Sequence, residues 1–144
     1  MATTLTVSID IDAPQAIVWS ILTDFEGYAA WNPFTPRVVC HGRVGTPVTL
    51  EAHLTDNGQG RMTHLTLNTF EPEHKLCWGA DDWYLQVNRC QTLTAVGEHK
   101  TRYETSELFA GLLSPLVIWT QRQNLMRGYQ RAAEGLKNAA EAKR

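Results

Sequence analysis

The chain has 144 residues, is 43% hydrophobic and 19% charged, and carries a formal net charge of −2. That size and balance describe a single folded domain over residues 1–144 and exclude a disordered chain. Its 13 basic and 15 acidic side chains are mixed along the sequence with no basic stripe, so nucleic acid is not an expected partner.

Residues 3–11 alternate, with Leu5, Val7, Ile9 and Ile11 on one face, which predicts a half-buried strand. Asp12 stands where a helix N-cap belongs, and Pro14 falls in the first turn, where its missing N–H costs nothing. Ile17, Val18, Ile21 and Leu22 then form one helical face. Asp24 heads a second short helix through Ala30, and Pro33 and Pro36 return the chain to extended form. Arg37 to Phe109 reads as successive strands. Asn57-Gly58 is a hairpin signal, and a two-residue turn there pairs Asp56 with Gln59. Leu54 then lies opposite Arg61, Ala52 opposite Thr63, Leu50 opposite Leu65 and Val48 opposite Leu67. On the outer face that register sets Glu51 against His64 and His53 against Met62. Leu76 and Trp78 share a face of a short strand after Pro72. Two longer strands, Trp83–Val96 and Thr101–Phe109, are joined by residues 97–100. Beyond Gly111 the pattern is helical, with Ile118, Arg122, Leu125, Tyr129, Ala132 and Leu136 on one stripe of roughly 25 residues, well over the mean helix length.

This order predicts an α+β fold. A single antiparallel sheet must cover its apolar face, and only the long helix is large enough to do so. The sheet must curl around it, and a pocket arises between them. The specific residues are Ile11-Asp12-Ala13-Pro14, Val18-Trp19, Leu22 with Asp24-Phe25 and Tyr28, Trp31-Asn32-Pro33-Phe34, Leu76 with Trp78-Gly79, Glu107 with Phe109 and Gly111, and the closing Leu136-Lys137 with Glu141. In these the chain resembles the START-like helix-grip superfamily (SRPBCC), and within it the polyketide cyclase/dehydrase-like branch. The resemblance implies a curved antiparallel sheet of about seven strands wrapped around the long C-terminal helix, with two short helices after the first strand. It also implies a range of roles, among them transport, sensing, cyclisation and chaperone activation, so function has to be argued from the site.

On the last two strands Arg89, Gln91, Leu93 and Ala95 are expected to face inward, as are Tyr103, Thr105, Glu107 and Phe109. One antiparallel register sets Arg89 across from Glu107; a two-residue shift sets Gln91 there. Inward charges are costly unless paired or wet, so these are a polar anchor on a pocket wall, a structural ion pair bracing the strand opposite the helix, or an Arg89 that reaches out at the cavity rim. Glu107 and Arg89 are the catalytic candidates. A neighbouring Arg89 would lower the Glu107 pKa, so an orienting or binding role is expected rather than proton abstraction. With the aromatic side chains that suit a lined pocket, the expected ligand-binding set is Trp78, Arg89, Gln91, Leu93, Tyr103, Thr105, Glu107, Phe109, Leu125 and Tyr129. Trp19 and Trp31 read as core.

Cys40, Cys77 and Cys90 are odd in number and lack CxxC spacing, which predicts no disulfide framework and a cytoplasmic location. The five histidines read as surface residues, and no metal or cofactor is expected. No leader pattern and no apolar run of about 20 residues is present, so stable membrane insertion is not expected. The run Leu112–Trp119 is apolar all round. It is a gate, a homodimer contact, a membrane-touching edge, or a segment buried under the loop after Trp31. The expected function is binding of a small hydrophobic or aromatic molecule by a carrier, sensor or sequestering protein. One alternative is a cyclase or aromatase acting on a polyketide-like substrate, with Arg89, Gln91, Tyr103 and Glu107 positioning a carbonyl or enolate. The other is a protein-interaction module like the superfamily's chaperone activators.

Overall fold

A computed structural model of the chain describes residues 2–55 and 58–143. Seven strands, β1 (Thr3–Ile11), β2 (Arg37–Cys40), β3 (Pro47–Ala52), β4 (Arg61–Glu71), β5 (Lys75–Asp81), β6 (Gln86–Gly97) and β7 (Lys100–Ala110), form one sheet in the order β1-β7-β6-β5-β4-β3-β2. Every neighbouring pair is antiparallel. The sheet curves around one long helix, α2 (Ser114–Lys143, 30 residues), in the α+β helix-grip arrangement. The short helix α1 (Gln15–Leu22) and a 3-10 helix (Phe25–Ala30) follow β1.

The expected Asp12 cap does not form. Helix α1 has Pro14 at its N-cap, whose carbonyl accepts from the Ile17 and Val18 N–H groups. Asp12 instead spends its backbone N–H on Glu141 Oε2 at 2.9 Å, and Lys137 Nζ donates to the Asp10 carbonyl at 2.9 Å. The end of β1 is thus clipped to the last turns of α2, which delays the start of α1.

The β3–β4 register also departs from expectation by two residues: Ala52 lies opposite Arg61, Leu50 opposite Thr63 and Val48 opposite Leu65. Strand β3 stops at Ala52 because the His53 N–H is drawn to the Phe34 carbonyl at 2.7 Å. The connection is therefore longer than two residues. A two-residue shift keeps every side chain on its expected face. The expected Asp56–Gln59 pairing and the Asn57-Gly58 turn lie outside the described residues. On α2 the buried stripe runs through Leu125, Tyr129, Ala132 and Leu136, but Arg122 is exposed and Gln121 takes the inward position. Ala95, expected inward, is exposed beyond the covered part of β6.

Two glycines on α2 set how closely the segment after the 3-10 helix can lie on it. A Cβ at Gly135 would stand 1.9 Å from the Trp31 carbonyl oxygen, and one at Gly128 would stand 2.4 Å from the Phe34 ring.

Cys77 and Cys90 overturn the cysteine reading, since they are joined by a disulfide. They oppose each other directly on β5 and β6 with Cα atoms 4.2 Å apart, the close spacing of a non-hydrogen-bonded antiparallel pair. Linear spacing could not show this, because the partners meet only through strand register. The inference of a reducing compartment thereby loses its basis. The bond closes a loop of sequence separation 13, which the chain-entropy estimate values at about 3 kcal/mol. Reduction is expected to lower Tm by about 5–10 °C, read by calorimetry with and without a phosphine reductant, and a Cys77→Ser/Cys90→Ser variant should match the reduced protein.

Candidate functional site

The sheet's inner face is a stack of rows running across the strands. One row, followed through the register, contains Leu5, Glu107, Arg89, Trp78 and Leu67. The next row toward one end holds Phe109, Val87 and Ala80. In the other direction come Val7, Thr105, Gln91 and Leu76, and then Ile9, Tyr103 and Leu93. Helix α2 meets these rows unevenly. Tyr129, Ala132, Ala133 and Leu136 are fully buried and leave no space along the second half of the helix. Toward the helix start, Val117, Gln121 and Leu125 stand off the sheet and leave a cavity of about 490 Å³.

This division sorts the expected site residues. Trp78, Arg89, Glu107, Phe109 and Leu125 line the cavity. Gln91, Leu93, Tyr103 and Thr105 do not; they belong to the solid layer beneath it. There Tyr103 donates its hydroxyl to Gln91 Oε1 at 2.5 Å, so both polar groups are satisfied inside the core. Tyr129 does not line the cavity either and is fully buried beside Arg89. Its ring lies edge-on to Phe34 at 5.5 Å, and its hydroxyl donates to Glu107 Oε1.

Arg89 is 5% exposed and lies directly opposite Glu107, the first of the two registers considered. Its guanidinium lies against both the Phe34 ring, 5.6 Å from the centroid, and the Tyr129 ring, 5.2 Å away. Nε donates to Thr105 Oγ1 at 3.0 Å. No ion pair joins Arg89 and Glu107 among the described residues, so the structural ion pair is not what holds them. Glu107 retains accessible surface on the cavity side. Burial raises its pKa above the usual carboxylate value, against the opposing pull of Arg89 and of the Tyr129 hydrogen bond. The expected depression is therefore reversed, because desolvation outweighs the cation where the two groups are not in contact. Burial raises the Tyr129 and Tyr103 hydroxyls as well, so both stay protonated donors. Trp78 is 1% exposed, and its indole N–H has no hydrogen-bond partner among the described residues, a cost of about 1–3 kcal/mol.

Several lining residues were not in the expected set: Phe34 above all, with Leu50, Ala52, Leu54, Leu65, Val87 and Gln121. The β3–β4 residues were legible as inward by alternation. Phe34 is placed by a local device. The Asn32 side-chain oxygen accepts from the Phe34 and Thr35 N–H groups at 3.1 and 2.9 Å, while its amide donates to Thr35 Oγ1. That turn swings Phe34 over Arg89.

At the cavity end, Trp83 and Trp119 are 84% and 83% exposed, with Leu112 and Leu116 also in solvent. The Leu113 N–H donates to the Tyr84 carbonyl and joins the β5–β6 turn to the start of α2. The 112–119 run is thus largely uncovered, and the segment after Trp31 does not bury it. Among the described residues no group of three His, Cys, Asp or Glu side chains could hold a metal ion, and no helix is long and apolar enough to cross a membrane.

The fold is shared with solved structures of low sequence identity. An aromatase/cyclase from Streptomyces sp. R1128 is 15% identical, with 99% of this chain and 93% of that one aligned at a TM-score of 0.69. A START superfamily protein from Mycobacterium smegmatis is 15% identical over 98% and 99% of the two chains, with a TM-score of 0.76. Norcoclaurine synthase from Thalictrum flavum, solved with dopamine and hydroxybenzaldehyde, is 8% identical over 96% and 86%, with a TM-score of 0.72. No curated protein matches the chain. Residues 2–141 match the family described as polyketide cyclase / dehydrase and lipid transport. The chain is a member of that family.

Proposed function

We propose that the protein binds a small hydrophobic or aromatic molecule in the cavity between the sheet and the first half of α2. The carrying observation is the cavity itself: about 490 Å³, within the usual range for ligand sites, walled by Trp78, Phe109, Leu125 and Phe34, with Arg89 and Glu107 at one place on its wall. A solid core would need neither a cavity nor an unpaired inward charge. That the aligned plant enzyme was solved with two small aromatic molecules supports the same class of occupant here. A neutral apolar dye such as Nile red is expected to bind saturably with blue-shifted emission. Val117→Trp, which fills the cavity from the partly exposed side of α2, is expected to weaken that binding at least ~10-fold. Undiminished binding by a folded Val117→Trp protein would place the dye elsewhere and remove the proposal.

One observation favours a second reading, in which the cavity also catalyses. A carboxyl raised by burial, with a cation and a phenol beside it, has the make-up of a proton-transfer group for a carbonyl substrate. This is the cyclase/aromatase alternative, with Glu107 moving the proton and Arg89 facing the developing negative charge. Turnover of a polyketide-like substrate should then fall at least ~100-fold in Glu107→Gln while Nile red binding persists; equal turnover removes it.

A further inference from the structure

The polar place in the cavity wall is selective in a way that the apolar walls are not. Arg89 has the Phe34 and Tyr129 rings, 5.5 Å from each other, against one side of its guanidinium. Its Nε is committed to Thr105. Tyr103 takes a further side-chain hydrogen bond from the guanidinium, and what remains for a ligand is the part of its edge that borders the cavity. Glu107 offers one oxygen only, since Oε1 already accepts from Tyr129. A donor edge and an acceptor oxygen, opposite in charge and carried by directly opposed residues of neighbouring strands, thus face the same cavity without neutralising each other by contact.

Resting on the cavity-binding reading above, we infer that this site takes a neutral planar headgroup with an acceptor and a donor side by side, such as a primary amide or a neutral hydroxy-carbonyl pair. Carboxylates and cations are excluded. The acceptor of such a group receives the Arg89 N–H, and its donor reaches the second Glu107 oxygen. An entering carboxylate would gain at Arg89 but set a second negative charge beside Glu107. An entering cation meets the reverse. Inside the cavity both penalties are screened less than in bulk water. Long-chain fatty acids, which an apolar cavity alone would accept, are accordingly poor ligands.

Three compounds with one ring system and one planar head test this: 2-naphthamide, 2-naphthoate and 2-naphthamidinium, neutral, anionic and cationic at pH 8. Each is titrated against the Nile red complex. The amide is expected to displace the dye at least ~10-fold more tightly than either ion. Glu107→Gln, which keeps an acceptor for Tyr129, should bring naphthoate to within about threefold of the amide and weaken the amidinium further. Naphthoate binding as tightly as the amide to the native protein would overturn the inference, as would a ranking unmoved by Glu107→Gln. Either result leaves cavity binding intact as long as Nile red binds saturably. Absence of saturable Nile red binding removes both.

Discussion

Arg89→Ala is expected to destabilise the protein by about 3–5 kcal/mol at pH 8 and by distinctly less near pH 4.5. The loss has two parts. Removing the guanidinium empties the space beside the Phe34 and Tyr129 rings, and it leaves Glu107 as a desolvated carboxyl with no cation opposite. Burial already holds the Glu107 pKa above its ordinary value, and Arg89 is the largest influence pulling it back. Without Arg89 it rises further. A carboxyl whose folded pKa exceeds its unfolded value binds more protons in the native state, so stability declines as pH rises from the unfolded value toward the folded one. The penalty is therefore expressed at high pH and relieved as the group protonates. Urea denaturation across this range checks it. The double variant Arg89→Ala/Glu107→Gln should recover the pH-dependent part and keep the packing part. A cost that does not vary with pH would mean that Arg89 acts through packing alone. In the native protein, Glu107→Gln by itself should flatten the same slope.

Gly135→Ala is expected to cost about 2–3 kcal/mol, against the sign of intrinsic helix propensity, which favours alanine by about 1 kcal/mol. The added methyl would sit 1.9 Å from the Trp31 carbonyl oxygen. That is backbone, held by the hydrogen bond between the Trp31 N–H and the Tyr28 carbonyl, and it cannot rotate away as a side chain could. Either the segment after the 3-10 helix lifts off α2 or the helix shifts on the sheet. A Tm lower by about 5–10 °C is expected; an increase would show that the segment yields at little cost. Gly128→Ala reports on a different quantity. There the methyl meets the Phe34 ring, so the ring should leave the face of Arg89, and the variant should lose ligand discrimination more than stability.

Much of the architecture could be read from period alone. The alternation of Leu5, Val7 and Ile11, the inward set of Arg89, Gln91 and Leu93, and the stripe Leu125, Tyr129, Leu136 all lie where their spacing placed them. Spacing assigns a face but not a position along the helix. Arg89 and Gln91 are indistinguishable by alternation, as are Glu107 and Thr105. Which of each pair borders empty space depends on what α2 presents opposite, large Tyr129 and close-packed Ala132 and Ala133 at one level or the stand-off of Gln121 and Val117 at another. The Cys77–Cys90 bond and the two-residue hairpin shift were hidden for a related reason. Each is a property of register, decided by contacts such as His53 with Phe34 that are distant in sequence. The sign of the Glu107 shift depended on the absence of direct contact with Arg89, which register alone does not show.

The clip between Asp12 and Glu141 and between Asp10 and Lys137 joins the first strand to the last helix, and that has a consequence for how the protein is made. All seven strands leave the ribosome before α2 does, so the rows through Leu5, Leu67, Trp78 and Leu93 lack their main cover until its 30 residues are added. At ~5–20 residues per second that interval is about 2–6 s. For that time the nascent chain is a sheet only partly covered by α1 and the segment after it, at its most open to capture by chaperones and to pairing with its neighbours on the same message.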